Sequence, residues 1–142
     1  MNKKDLIAPC GLECFNCNLH KDNLTDEYKK KVAEYQRIAP GEVECKGCRA
    51  ENGKCRYAEF DCATYKCVQK KGVTYCFECK EFPCGLLTPS SLGANYPHNM
   101  KVYNLCRMKL NGIDAWIEES AYIRKRYYNG KFVVGKGPVL ED

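Results

Sequence analysis

Twelve cysteines stand in 142 residues, and eleven of them fall between Cys10 and Cys84. Cys10, Cys14 and Cys17 form C-x3-C-x2-C, Cys45 and Cys48 form C-x2-C, and Cys76, Cys79 and Cys84 form C-x2-C-x4-C, with Cys55, Cys62 and Cys67 between them. A turn carrying two thiols two residues apart directs both sulfurs to one point, and zinc takes four such ligands tetrahedrally at about 2.3 Å. Disulfide pairing is the competing use of so many cysteines, and it belongs to oxidising compartments. Ahead of Pro9 stand only Leu6, Ile7 and Ala8 as an apolar run, too few for the roughly 7–15-residue core of a signal peptide. No apolar run approaches the ~18–20 residues of a membrane helix. The expected setting is the cytoplasm, away from membranes, where thiols stay reduced and open to metal.

Two ions account for most of these thiols. Cys14, Cys17, Cys45 and Cys48 form the simplest first set. The helix expected between the two pairs covers about 24 Å at 1.5 Å per residue, and the return after Pro40 reaches up to ~17 Å. A second set draws on five thiols for four places, and Cys67, Cys76, Cys79 and Cys84 are favoured, with Cys62 in reserve. Pro83 fixes the backbone before Cys84, and Phe82 is placed to shield the sulfurs. Cys10 is also in reserve, able to displace a ligand of the first set. Cys106 lies on an apolar helical stripe and reads as a small buried hydrophobe. Four-thiolate ligation also serves iron–sulfur clusters. Zinc, as two structural ions, is therefore the first expectation and a redox iron–sulfur cluster the alternative.

The elements that must position these thiols are mainly helical, with a small α+β arrangement as the alternative. Leu24, Tyr28, Val32, Tyr35 and Ile38 recur at helical spacing, which predicts a helix from Leu24 to Ala39 with Thr25 as N-cap and Pro40-Gly41 as its end. A second helix is expected over about Asn99–Leu110, with Val102, Tyr103, Leu105, Cys106 and Leu110 inward. Asn111-Gly112 breaks it. A third runs from Ile113 to about Tyr127 on a stripe of Ile113, Trp116, Ile117, Ala121 and Ile123 or Arg124, with Asn129-Gly130 as its stop. Lys131-Phe132-Val133-Val134 reads as one short strand without an identified partner, or as an extended tail. The cysteine segments between helices read as turns and loops. The expected organisation is a single domain, 1–142, with a cysteine-rich metal-binding lobe at 8–84, a helical hairpin at 98–128 and a tail at 129–142. The polar lobe has little capacity for an apolar core, so metal ligation would supply folding free energy.

Three segments carry a family resemblance when taken in order. They are Ala8-Pro9-Cys10-Gly11-Leu12-Glu13-Cys14-Phe15-Asn16-Cys17, then Cys45-Lys46-Gly47-Cys48-Arg49, then Lys71-Gly72-Val73-Thr74-Tyr75-Cys76-Phe77-Glu78-Cys79-Lys80-Glu81-Phe82-Pro83-Cys84. Together they resemble the domain-of-unknown-function 3795 family of small cysteine-rich prokaryotic proteins. The likeness extends from Ala8 to about Trp116, since Gly112-Ile113-Asp114-Ala115-Trp116 also looks like the helical segment that follows the clusters in that family. It implies a zinc-binding domain and brings no reaction or substrate with it. Cys55 and Cys106 fall outside the family pattern.

Other classes fare less well. Cys10-x3-Cys14-x2-Cys17 matches the cluster spacing of radical S-adenosylmethionine enzymes, but the chain lacks the length and alternating pattern of their barrel. A nucleophilic Cys10 or Cys62 needs a base, and the two histidines, His20 and His98, sit in no catalytic motif. His20 reads as an exposed residue ahead of the first helix, with a three-thiolate, one-imidazole site as the alternative. A net charge of +5 is below the strongly basic footprint of nucleic-acid binders. The segment Tyr122, Arg124, Lys125, Arg126, Tyr127, Tyr128 and Lys131 has the chemistry to contact phosphates and bases, which makes a zinc-knuckle nucleic-acid-binding module the second alternative, but it continues an amphipathic helix and reads first as a solvated helix end. No catalytic residue is assigned, and the partner is unknown.

Overall fold

The computed structural model describes residues 2–54, 61–88 and 100–141. They form a mainly α protein with four α-helices and one two-stranded sheet among the described residues, arranged as two compact units. The first unit is Met1–Pro9 with Glu13–Thr74, and the second is Cys10–Leu12 with Tyr75–Asp142. The division therefore falls inside the cysteine-rich stretch. No helix of the described residues is long and apolar enough to cross a membrane.

In the first unit, α1 spans Asp26–Gln36 and α2 spans Ala63–Lys71. Thr25 caps α1 as its spacing implies, with Tyr28 N–H donating to Thr25 Oγ1 at 3.2 Å, and Asp26 and Glu27 lie in the first turn. The helix stops three residues short of Ala39. Pro40 holds Ala39 extended, so the chain must leave the helix earlier, and Arg37 does so in the left-handed region (φ 56°) with its N–H on Ala33 O and Glu34 O. The periodic tyrosines do not form the inner face. Tyr28 and Tyr35 are exposed, Tyr35 at 88 %, and Ala33 is the one buried position of α1.

Helix α2 is absent from the periodic pattern because its thiols read as loop ligands. Its signals are nonetheless local: Thr64 and Val68, four residues apart, are buried, Lys70 and Lys71 occupy the last turn, and Gly72 caps it at φ 65°. The unit's core is Leu6, Ile7, Ala8, Ala33, Val43 and Val68, with Glu13, His20 and Thr64 as its buried polar members.

In the second unit, α3 (Met100–Asn111) and α4 (Ile113–Asn129) pack as a hairpin about Gly112. Met100, Leu105, Met108, Trp116 and Ile123 form the apolar seam, joined by Asn104 and Ser120. Two expected inward residues lie elsewhere. Leu110 is 77 % exposed, since two residues beyond Met108 is the opposite side of a helix. Ala121 is exposed too, and Ser120, four residues after Trp116, holds its place in the stripe. A two-pronged ion pair ties the hairpin, with Arg107 Nε and Nη2 donating to Glu119 at 2.8 and 2.6 Å.

The predicted short strand finds its partner downstream. Strand β1 (Lys131–Val133) pairs antiparallel with β2 (Gly137–Val139) in the register Lys131↔Val139 and Val133↔Gly137. Arg126 Nε of α4 donates to Pro138 O at 3.0 Å, which holds the hairpin to the helix.

Candidate metal centre

The C-x2-C motifs at 14–17 and 76–79 fold alike. Each is one turn of 3₁₀ helix, Cys14–Asn16 and Cys76–Glu78, closed by Cys17 N–H on Cys14 O at 3.1 Å and Cys79 N–H on Cys76 O at 3.2 Å. Backbone amides also reach the sulfurs. Gly47 N–H donates to Cys45 Sγ and Glu81 N–H to Cys79 Sγ, each at 3.4 Å. Gly47 does so at φ +92°, a backbone conformation that L side chains rarely adopt. An amide donor to a sulfur fixes the orientation of that side chain on its turn.

In the first unit, backbone pairing carries the second knuckle to the first. Cys45 N–H donates to Leu19 O at 3.0 Å and Lys21 N–H to Cys45 O at 2.9 Å, a parallel bridge of His20 with Cys45. Asn23 Nδ2 pins the Cys14–Cys17 turn through Phe15 O (2.8 Å) and Cys17 O (2.9 Å). Arg49, just past the second knuckle, donates to Ile7 O and Thr74 O, each at 2.9 Å.

The outcome is that Cys14 and Cys48, 34 positions apart in sequence, meet. The Cys48 thiol hydrogen-bonds Cys14 Sγ and lowers the Cys14 thiol from 9.0 to about 7, against the upward push of burial and of Glu13, and with further help from the Cys48 amide. Cys17 and Cys45 are half-buried on the same two turns.

His20 departs from expectation. It is 1 % exposed rather than on the surface. Its Nδ1 accepts the Asp22 N–H at 3.3 Å, and its Nε2 is buried with no hydrogen-bond partner among the described residues. Nothing in the residues around His20 marks it as inward; in the fold it bridges Cys45, 25 positions along the chain.

The second unit holds Cys10, Cys76, Cys79, Cys84 and Cys106. Cys10 and Cys76 are buried at 8 % and 9 %, Cys79 and Cys106 are half-buried, and Cys84 is exposed. Both the Cys10 and the Cys76 segments dock on α3. Asn104 Nδ2 donates to Gly11 O at 2.8 Å, and the Cys76–Glu78 turn packs against the same helix. Gly11 has φ +91°, and a Cβ there would lie 2.8 Å from Lys101 O and 3.0 Å from Leu105 Cγ. Only glycine admits this approach. Lys109 Nζ, also of α3, lies 5.7 Å from the Phe82 ring centroid.

Of the remaining expected ligands, Cys62 stands at the N-cap position of α2 without a side-chain capping bond and Cys67 lies within the helix, both half-buried in the first unit. Cys55 and His98 lie outside the described residues. The eleven described cysteines are thiols rather than disulfides. Among the described residues, no group of three or more Cys, His, Asp or Glu side chains stands in metal-holding geometry. The donor chemistry of the first unit nevertheless fits a thiophilic ion: soft sulfurs, amide donors to them, a thiol lowered to about 7, and an orphaned buried imidazole nitrogen.

The basic, aromatic end of α4 makes contacts along its own surface, where Tyr122 and Tyr128 are exposed. The Arg124 guanidinium lies 4.6 Å from the Tyr128 ring centroid and that of Arg126 5.9 Å from Tyr122, while Tyr103 and Tyr127 meet at 5.5 Å.

Fold and thiols together define a small, mainly helical, cysteine-rich protein. A family model described as "Protein of unknown function (DUF3795)" matches residues 6–89, more than half of the chain, and the protein belongs to that family. No curated protein and no solved structure matches the chain.

Proposed function

We propose that this protein is a zinc-binding module in which four-thiolate sites hold the cysteine-rich turns in place, and that its role is binding or scaffolding rather than catalysis. The observation that carries the reading is the meeting of Cys14 with Cys48, each half of a C-x2-C turn, on two knuckles knitted by the His20–Cys45 bridge. Cys14, Cys17, Cys45 and Cys48 would ligate the first ion. For the second, Cys76, Cys79 and Cys84 are joined by Cys10 in preference to Cys67, because these four belong to one compact unit and the Cys10 and Cys76 segments dock on one helix.

Four thiolates on each ion would leave no open position for an activated water. The chemistry supplied by zinc would then be cross-linking: it would contribute folding free energy to turns with little apolar core of their own.

Elemental analysis and native mass spectrometry of anaerobically purified protein test this reading. Two zinc ions per chain are expected, and a strong chelator should lower far-UV circular dichroism and the melting temperature together. A brown protein with visible absorbance and equimolar iron and sulfide would replace zinc by an iron–sulfur cluster. Chelation that strips the metal without changing the melt would refute the structural role.

A further inference from the structure

We infer that His20 is a positioning residue of the first zinc site, donating a hydrogen bond from Nε2–H to the Cys45 thiolate. This rests on the zinc reading above and adds a residue to it. The Asp22 amide donates to His20 Nδ1, which requires the ring lone pair on Nδ1 and so puts the ring proton on Nε2. The residue is 1 % exposed, and that N–H has no partner among the described residues, a costly state for a buried donor. Its ring must meet an acceptor when the site forms.

The backbone says which. His20 N–H donates to Cys17 O at 3.1 Å, and His20 is the parallel-bridge partner of Cys45. Bridge partners on neighbouring strands lie about 4.8 Å apart and project their side chains to the same face. Cys45 Sγ already takes the Gly47 amide, and a thiolate accepts more than one donor. A second N–H would withdraw charge from a site of four thiolates around one dication, which favours the ligated form over the protonated thiol. The Nδ1–H tautomer, in which Nε2 itself would bind metal, would give up the Asp22 amide bond at 3.3 Å for an approach to Asp22 Oδ2 at 3.7 Å, beyond hydrogen-bond reach.

The test uses full-length protein labelled with ¹⁵N-histidine and loaded with zinc or with ¹¹³Cd. Long-range ¹H–¹⁵N correlations should show His20 as the Nε2–H tautomer, with its ring proton slow to exchange and coupled to ¹¹³Cd through the hydrogen bond. Chelator competition should show His20→Ala losing roughly 10–100-fold in zinc affinity at one site, with His20→Gln, which keeps a side-chain N–H donor, recovering most of it. A directly metal-bound Nε2, or a ring proton exchanging freely with solvent in the zinc-loaded protein, overturns the inference and leaves the zinc reading standing. Failure of the wild-type chain to bind zinc at this unit overturns both.

Discussion

Replacing Gly11 by alanine probes how the Cys10 segment is held. Two costs add at that position. At φ +91° a side chain is strained, and residues forced into such regions cost about 1–3 kcal/mol. The new Cβ would also lie 2.8 Å from the Lys101 carbonyl oxygen, a backbone atom that cannot swing away, and overpacking of this kind costs about 1–3 kcal/mol. Gly112 separates the two terms, because it has φ 88° and ψ 158° but nothing within 4 Å of where an alanine methyl would stand. Gly85 has neither a positive φ nor a close neighbour. Taking about 2 kcal/mol for each term and roughly 4 °C per kcal/mol for a chain of this size, Gly11→Ala should lower the melting temperature by roughly 15 °C and Gly112→Ala by roughly 8 °C. Gly85→Ala should stay within about 2 °C, as surface substitutions do. The assay is thermal unfolding followed by circular dichroism at fixed, saturating zinc, since free ligand shifts the midpoint by mass action. If Gly11→Ala melts no lower than Gly112→Ala, the close approach of Gly11 to α3 is wrong.

Three further outcomes follow from the thiols and the surface of α4. In metal-stripped protein held well below its lowered melting temperature, so that the first unit is still folded, iodoacetamide labelling of Cys14 should rise with a midpoint near pH 7, and Cys48→Ala should move that midpoint up toward 9.0 by removing the thiol donor. Because the folded thiol is the lowered one, the associated stability is fully present above about pH 9 and is lost as pH falls through about 7. Native mass spectrometry should find Cys10→Ser short of one zinc ion and Cys67→Ser with both; the reverse pattern would return the second site to Cys67. Titration with single-stranded RNA at two salt concentrations should give no tight, salt-dependent binding, since Arg124 and Arg126 already lie against Tyr128 and Tyr122. A steep salt slope, abolished by Arg124→Ala, would contradict that.

Much of this protein is legible in its residues because the determining interactions are local. Thr25 as a cap, Gly112 as a break, Gly130 as a stop and the C-x2-C turns each depend on bonds spanning a few positions, and those bonds follow from residue type and spacing. Family membership is legible for the same reason, since it rests on short motifs in order. Helix α2 is legible too in its Thr64–Val68 pair and Gly72 cap, and is obscured only because a thiol on a helix and a thiol in a loop look alike as ligand candidates.

Tertiary structure alone decided the rest. Whether a periodic tyrosine is core or surface depends on what covers that face, and Tyr35 on α1 stands open to solvent. His20 is buried, and residues 19–21 pair with Cys45, a contact 25 positions away that no local signal announces. Cys14 meets Cys48, and Cys10 joins the unit of Cys76 rather than that of Cys14 four residues on. The identity of the thiols was thus set by sequence, while their grouping was set by which backbone segments pair and pack, a matter of long-range free energy that spacing does not encode.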